Sequence, residues 1–329
     1  NNLNDNFPVF TSSANFSADE NQNSIGVITA TDADGDAVTF SIQGLPAPIT
    51  DEQYKGLLID SLTGVMTFNE IGADYEERES ISFNVIVSDG LNSITQAVTI
   101  AINNLNDNSP VLTSEIDFII DENTSSVGTI TGSDADGDTL SFSISGTDAD
   151  SISIDSTSGV LSLNQTADYE TKISYAFNVE ISDGLNSITK AATVSINNLN
   201  DNSPSIISTN VFSAEENQTI IGSIVAEDAD GDSLSYSVSG SVAEISSDGV
   251  LSFINTPDYE SDASSYSLSI TVSDGDFSDS QDIEVSLINL NDNSPVFTTP
   301  ASFNINENET ALTTIKATDA DGNPISFEV

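Results

Sequence analysis

Carboxylates recur in this chain at fixed places, and short acidic motifs repeat in one order along it. An acid pair precedes Asn at Asp19-Glu20-Asn21, Asp121-Glu122-Asn123 and Glu215-Glu216-Asn217, with Asn306-Glu307-Asn308 as a later variant. Asp32-Ala33-Asp34-Gly35-Asp36 is copied at 134–138 and 228–232, and ends as Asp319-Ala320-Asp321-Gly322-Asn323. Asp74-Tyr75-Glu76 returns as Asp168-Tyr169-Glu170 and Asp258-Tyr259-Glu260. Ser-Asp-Gly stands at 88–90, 182–184 and 273–275. Between successive sets lies the heptapeptide Asn104-Leu105-Asn106-Asp107-Asn108-Ser109-Pro110, identical at 198–204 and 289–295 and varied at 2–8. Calcium takes six to eight oxygens from carboxylates, amides, main-chain carbonyls and water. Residues two apart in extended chain point the same way, so Asp-Ala-Asp and Asp-Tyr-Glu each aim two carboxylates at one place.

Each motif taken singly has a plainer explanation. Asp-Gly closes hairpins, Asp-x-Asp-Gly-Asp lacks the terminal Glu of an EF-hand loop, and Asp-x-Glu is unremarkable on a surface. Recurrence in one order favours calcium over turn chemistry and solvated surface. Asp148-Ala149-Asp150 has no counterpart in the other repeats and is read as loop.

Composition narrows the functional classes. The 329 residues carry 53 acids against five basic residues, a formal net charge of −48. No basic patch exists to release counterions from nucleic acid or to meet anionic lipid. Charge of this size destabilises a compact chain unless cations neutralise it. With neither Cys nor His, zinc, haem, iron–sulfur, thiol and Ser-His-Asp chemistries lose their usual groups. The sequence shows no signal peptide and no apolar run of membrane-spanning length. It opens inside a linker and stops within a repeat, so it is expected to be a window from a longer protein, with export and anchoring parts outside it.

The elements that position these acids read as strands. Short runs at 26–30, 38–42, 57–59 and 64–68 are followed by Ile81, Phe83, Val85 and Val87, then by Ile94, Val98, Ile100 and Ile102. Period-two alternation of β-branched and aromatic residues, interrupted by Gly, Asp and Asn, marks strands with one buried face. The later repeats copy it with Tyr175, Phe177, Val179 and Ile181, and with Tyr266, Leu268, Ile270 and Val272. About seven strands in roughly 95 residues is the arithmetic of a β-sandwich. The expected organisation is linker 1–8, repeat 9–103, linker 104–110, repeat 111–197, linker 198–204, repeat 205–288, linker 289–295 and partial repeat 296–329. The last is expected to hold about three strands and to be poorly ordered alone.

The order of acid motif, Asp-Ala-Asp, Asp-x-Glu, Asp-Gly and Asn-Asp-Asn-x-Pro resembles tandem cadherin repeats over essentially the whole chain. So does Ile59-Asp60-Ser61-Leu62-Thr63-Gly64-Val65, matched at 154–160 and partly at 245–250. Short repeats without Cys make the bacterial cadherin-like branch the nearer likeness. The resemblance implies an all-β fold: seven-stranded Greek-key sandwiches in an extended rod, the last one truncated. It also implies about three Ca²⁺ at each complete joint.

At the first complete joint the resemblance implies Glu20, Asp74 and Glu76 above, and Leu105, Asn106, Asp107 and Asn108 in the linker. Asp134, Asp136, the Asp138 carbonyl and Asp183 complete it from below. The second would use Glu122, Asp168, Glu170, Leu199, Asn200, Asp201, Asn202, Asp228, Asp230, Asp232 and Asp274. The third would use Glu216, Asp258, Glu260, Leu290, Asn291, Asp292, Asn293, Asp319, Asp321 and Asn323. The opening linker has a lower half only: Asn4, Asn6, Asp32, Asp34, Asp36 and Asp89. Seven carboxylates at the first complete joint against three Ca²⁺ would leave a net charge of about −1. Without metal those acids repel, so the joint would change from stiff to slack.

Two departures stand out. Asn104, Asn198 and Asn289 open the linkers where animal cadherins commonly have Asp, which is expected to weaken the joints slightly. No Trp is present to anchor strand-exchange adhesion. The leading function is a calcium-stiffened extracellular stalk, adhesin segment or surface filament, secreted and bacterial, rather than an enzyme. Implied partners are calcium and copies of the same chain, with a glycan or host surface left open, and no nucleic acid or membrane contact. The alternative is a carbohydrate-binding array, which would need exposed aromatic platforms. A glycosidase reading of Asp74 and Glu76 needs a substrate cleft between the two acids, and the same pair repeats in every unit. Sequons at Asn15, Asn123, Asn164, Asn217 and Asn308 would matter only in a host that glycosylates Asn.

Overall fold

Alternation in the strand Ser80–Ser88 shows how the sequence builds its core: Ile81, Phe83, Val85 and Val87 are buried while their neighbours face outward. The strand pairs antiparallel with Ser93–Asn103 along its whole length. Thr39–Ile42 lies along its other edge. Asn15–Asp19 adds to Ser93–Asn103 in parallel, which completes a four-stranded sheet. Ser24–Val27, Val65–Phe68 and Leu57–Ile59 form a second, three-stranded sheet. Leu57, Met66 and Phe68 from it share one core with Val85, Val98 and Ile100. Burying each such apolar side chain contributes about 1.5–3 kcal/mol. This core holds the acidic loops at the sandwich ends in place.

The computed structural model describes residues 3–43, 56–68 and 72–328. Asn1, Asn2 and Val329, the expected outer limits of the first linker and last repeat, lie outside the described residues, as does the basic residue Lys55. The chain divides into two units, 1–167 with 174–196 and 168–173 with 197–329.

The first unit repeats the pattern with the sheet Asp117–Asp121, Ser187–Asn197, Ser174–Ser182, Ser141–Ser145 and the sheet Ser126–Thr129, Val160–Leu163, Ile152–Ile154. The second unit does so with Val211–Glu215, Ser278–Ile288, Ser265–Ser273, Ser235–Val238 and with Ile220–Ser223, Val250–Phe253, Ala243–Ile245. In that core the Phe253 and Tyr266 rings meet edge to face at 5.2 Å. Each of the three full repeats therefore has seven strands in two sheets, a sandwich arrangement, and in the first and third the leading edge strand runs parallel to the last. A further pair of two-residue strands, such as Val9–Phe10 with Ala30–Thr31, starts each repeat.

The run matching 59–65 closes a hairpin in each of the first two repeats. Asp155 Oδ1 accepts the N–H groups and hydroxyls of Thr157 and Ser158 at 2.8–3.1 Å. These donors hold its carboxyl far below the usual range. Gly159 follows at φ 69°, where a Cβ would strike the Ile130 carbonyl oxygen.

Two expectations are corrected. Residues Ala149–Ser151 form a short 3₁₀ turn rather than plain loop. The Asp148 carboxylate holds it by accepting the Ala176 N–H at 2.7 Å. Past the third linker the described residues contain two short strands, Val296–Phe297 and Ala317–Thr318, rather than three. Phe303, Ile305 and Leu312 there remain exposed, because no second sheet among the described residues covers them.

Candidate metal centres at the linkers

In the first unit, Glu20 is a buried carboxylate that ties two segments together. Its Oε1 accepts the Leu105 N–H at 2.7 Å and its Oε2 the Tyr75 N–H at 2.8 Å. The linker and the Asp-Tyr-Glu turn are thereby brought to one acid. From the following sandwich, Asp136 Oδ2 accepts the N–H groups of Asp107 and Asn108 at 3.0 and 2.9 Å, and its Oδ1 accepts Asn108 Nδ2 at 2.8 Å. As a result Glu20, Glu76, Asp107 and Asp136 each present a carboxylate oxygen within 4.8 Å of the others. Asp134, Asp136 and Asp138 form a second group by the same measure. Asp134 Oδ1 accepts the N–H groups of Asp136 and Asp138 at 3.1 and 3.3 Å. Asp183 Oδ1 accepts those of Leu185 and Asn186, and Asn106 Nδ2 reaches the Asp183 carbonyl at 3.4 Å. Asp74 is exposed and braces its own turn through the Glu77 N–H.

The opening linker repeats the lower half. Asp34 accepts the N–H groups of Asp5 and Asn6 and the Asn6 amide. Asn4 Nδ2 meets the Asp89 carbonyl at 3.5 Å, and Asp32, Asp34 and Asp36 form a carboxylate group.

In the second unit, Asp230 accepts the N–H groups of Asp201 and Asn202 and the Asn202 amide, which also reaches Glu170 at 3.3 Å. Asp228 Oδ1 accepts the Asp232 N–H, and Asp274 Oδ1 those of Asp276 and Phe277. Asp168 holds Thr171. At the third linker, Glu216 accepts the N–H groups of Leu290 and Tyr259 at 2.7 and 2.8 Å. Glu216, Asp258 and Glu260 form a carboxylate group. Asp321 accepts the Asn293 N–H and amide, and Asp319 the N–H groups of Asp321 and Asn323. Asn291 is exposed, and Asn293 also donates to Asp292. Glu122 in the first unit is buried, like Glu20 and Glu216.

Charge and hydration act on these acids in opposite directions. Loss of hydration, together with the neighbouring Glu20 and Asp136 charges, pushes the Glu76 carboxyl above its ordinary range. Lost hydration and the Glu216 charge do the same to Glu260. Asp232 is raised by lost hydration and by Asp228, Asp230, Asp274 and Asp276 around it. Lost hydration also opposes ionisation of Asp136, but the Asn108 amide and the N–H groups of Asn108 and Asp107 outweigh it and hold that carboxyl low. At Asp230 and Asp321 lost hydration is likewise outweighed by the matching donors of their own linkers, and both carboxyls are low.

The donor supply runs out at particular atoms. Asp32 Oδ2, Asp134 Oδ2, Asp183 Oδ2, Asp228 Oδ2, Asp274 Oδ2, Asn200 Oδ1 and Glu260 Oε1 are buried and accept no hydrogen bond. Among the described residues, Ser208 Oγ and Gln281 Oε1 are the others in that state. A buried acceptor without a partner costs about 1–3 kcal/mol, and more if charged. Seven oxygens in this condition on the recurring motifs suit a hard cation that prefers oxygen ligands.

Sequence reasoning missed three sets of amides. Asn21, Asn123, Asn217 and Asn308 adopt positive φ of 59–74°, a conformation that Asn tolerates better than most residues. The Asn21 amide donates to Asp107 and that of Asn217 to Asp292. Asn104, Asn198 and Asn289 donate to the carbonyls of Asp136, Asp230 and Asp321 at 2.7, 2.8 and 3.3 Å. An Asp side chain could not make that bond, so Asn at the head of the linker adds a contact rather than merely losing a charge. Asn92 and Asn186, in the Asp-Gly loops, are the third set. Their recurrence two residues after Gly90 and Gly184 was the available signal.

Comparison with known proteins agrees with this fold. A family profile described as a bacterial Ig domain matches residues 200–286. Human protocadherin Fat 4 is 30% identical over 99% of the chain, which spans 7% of that relative's length. Pig protocadherin-11 X-linked is 36% identical over 61% of the chain and 19% of its own length. Among solved structures, the protocadherin GammaB4 extracellular domain superposes with a TM-score of 0.74 at 21% identity, covering 97% of this chain and 57% of that one. Mouse cadherin-23 EC22-24 does so with a TM-score of 0.68 at 20% identity, covering 86% and 99%.

Proposed function

The chain is a run of tandem cadherin-like repeats, and on that premise we propose that it is a calcium-dependent extracellular stalk or adhesin segment whose linkers stiffen when they bind Ca²⁺. The observation that carries this reading is the set of buried, unpartnered oxygens on Asp134, Asp183, Asp228, Asp274 and their equivalents. Each belongs to a motif beside a linker, and each needs a positive partner.

At the first complete linker the ligands would be Glu20, Glu76, Asp107, Asp134, Asp136 and Asp183, with Asp74 turning in from its exposed position. Amide and main-chain oxygens of the linker would complete a shell of six to eight. About three Ca²⁺ would neutralise most of that charge. The later linkers would use their matching residues, including Asp258, Glu260, Asp319 and Asp321. The match to a bacterial Ig domain favours a bacterial cell surface. No helix among the described residues is long and apolar enough to cross a membrane.

Tyr75 and Tyr259 pack against the sandwich cores, which argues against an exposed sugar platform in the Asp-Tyr-Glu turns. The likeness to cadherins, and the same acid pair in every repeat, argue against a glycosidase. Function in such an array comes from reach and from contacts with copies of itself or another surface. Calorimetry in EDTA and then in Ca²⁺ tests the proposal. A melting temperature that rises reversibly with Ca²⁺ supports it, and an unchanged one removes its basis.

A further inference from the structure

The linkers 104–110 and 198–204 are identical in sequence, yet the loops that receive them differ. After Ser-Asp-Gly the first two repeats continue Leu91-Asn92 and Leu185-Asn186, and the third continues Asp276-Phe277. Asn186 Nδ2 donates to Asn106 Oδ1 at 2.9 Å and to the Asn108 carbonyl at 3.1 Å. Asn92 Nδ2 does the same to Asn4 Oδ1 and to the Asn6 carbonyl, both at 3.1 Å. One amide thus clips two points of the linker to the sandwich below it, through N–H groups that bond oxygen directly and cannot themselves ligate a cation. The Phe277 side chain has no donor to offer, and Asn200 Oδ1, the equivalent of Asn106 Oδ1, is buried without a hydrogen bond. Asp276 also adds a negative charge where the other loops carry Leu.

The main-chain and head-of-linker contacts are matched. Asp136 and Asp230 accept the same two linker N–H groups at 2.9–3.1 Å. Asn104 and Asn198 donate to the following carbonyl at 2.7 and 2.8 Å. Beside the Asp276 charge and the reach of the Asn202 amide to Glu170, the exchange of Asn for Phe is therefore the difference that removes hydrogen bonds to the linker. We propose that Asn92 and Asn186 are metal-independent staples. Linker 198–204, which lacks one, then depends more on calcium for its attachment to its sandwich than linker 104–110 does. This inference rests on the calcium reading above.

Hydrogen–deuterium exchange on the full chain tests it, because identical linker sequences share the same intrinsic exchange rates. In EDTA, 198–204 should exchange about five- to tenfold faster than 104–110, the effect of one or two hydrogen bonds. Asn186→Ala should accelerate 104–110 by about that factor, and Phe277→Asn should slow 198–204 toward it. Saturating Ca²⁺ should slow both linkers and shrink the difference between them. Equal exchange in EDTA, or no response to either substitution, overturns the staple while leaving the calcium reading intact. If Ca²⁺ slows neither linker, the calcium reading falls and the inference falls with it.

Discussion

Removing the Asp136 carboxylate is the most localised way to disturb the first complete linker. In Asp136→Ala, two linker N–H groups and the Asn108 amide lose their shared acceptor at 2.8–3.0 Å. Hydrogen bonds to a charged group contribute about 1.5–3 kcal/mol each, but these are half-exposed and share one acceptor, so about 2–3 kcal/mol of linker attachment is at stake. The substitution also takes one carboxylate from the group formed with Glu20, Glu76 and Asp107. Calcium affinity follows ligand charge count, so binding at this linker should weaken by at least about tenfold. Hydrogen–deuterium exchange across 104–110 during a calcium titration measures both effects. Linker 289–295, of identical sequence, serves as an internal control, since a repeat contacts only its neighbours. The midpoint of protection should move to higher calcium at 104–110 and stay in place at 289–295. An unmoved midpoint at 104–110 would refute the assignment of Asp136.

Glu216→Ala should lower stability by about 2–5 kcal/mol in calorimetry even without metal, because the N–H groups of Leu290 and Tyr259 lose their buried acceptor. Gly159→Ala should cost about 2–4 kcal/mol, from positive φ and the clash with the Ile130 carbonyl, and should leave calcium binding to the other linkers unchanged. In EDTA, acidification should act in two stages read as melting temperature. Glu76 and Glu260 have raised carboxyls, so the folded chain takes up protons first. Stability should rise as pH falls through their elevated values toward the ordinary glutamate value. Asp136, Asp230 and Asp321 have lowered carboxyls. Their contribution should be lost at lower pH, as protonation proceeds below the ordinary aspartate range. Saturating calcium should abolish the first stage.

Much of this molecule was legible from residue patterning. Alternation at 81, 83, 85 and 87 named the buried face of a strand, because a sheet with one wet face admits no other register. The acids were legible as a group because the same spacing returned in each repeat, which turn chemistry alone does not require. The amides were not. An Asn reads equally as turn former, donor or ligand, and the partner that decides among these lies far along the chain, as for Asn186 and Asn106. The head-of-linker residues were only half legible for the same reason. The missing negative charge at Asn104 was visible in the sequence, while the bond from its amide to the Asp136 carbonyl was not. The 3₁₀ turn at Ala149–Ser151 depended on the Asp148 carboxylate meeting the Ala176 N–H, a tertiary contact without local signature.

The central claim is that oxygens left without donors at the linkers face calcium. Diffraction from crystals of the chain grown with calcium, read for anomalous peaks near 104–110, tests it most directly. The account predicts ions about 2.3–2.6 Å from Asp134 Oδ2 and Asp183 Oδ2, the oxygen distance calcium favours. Those two atoms left dry of any cation at saturating calcium would contradict it.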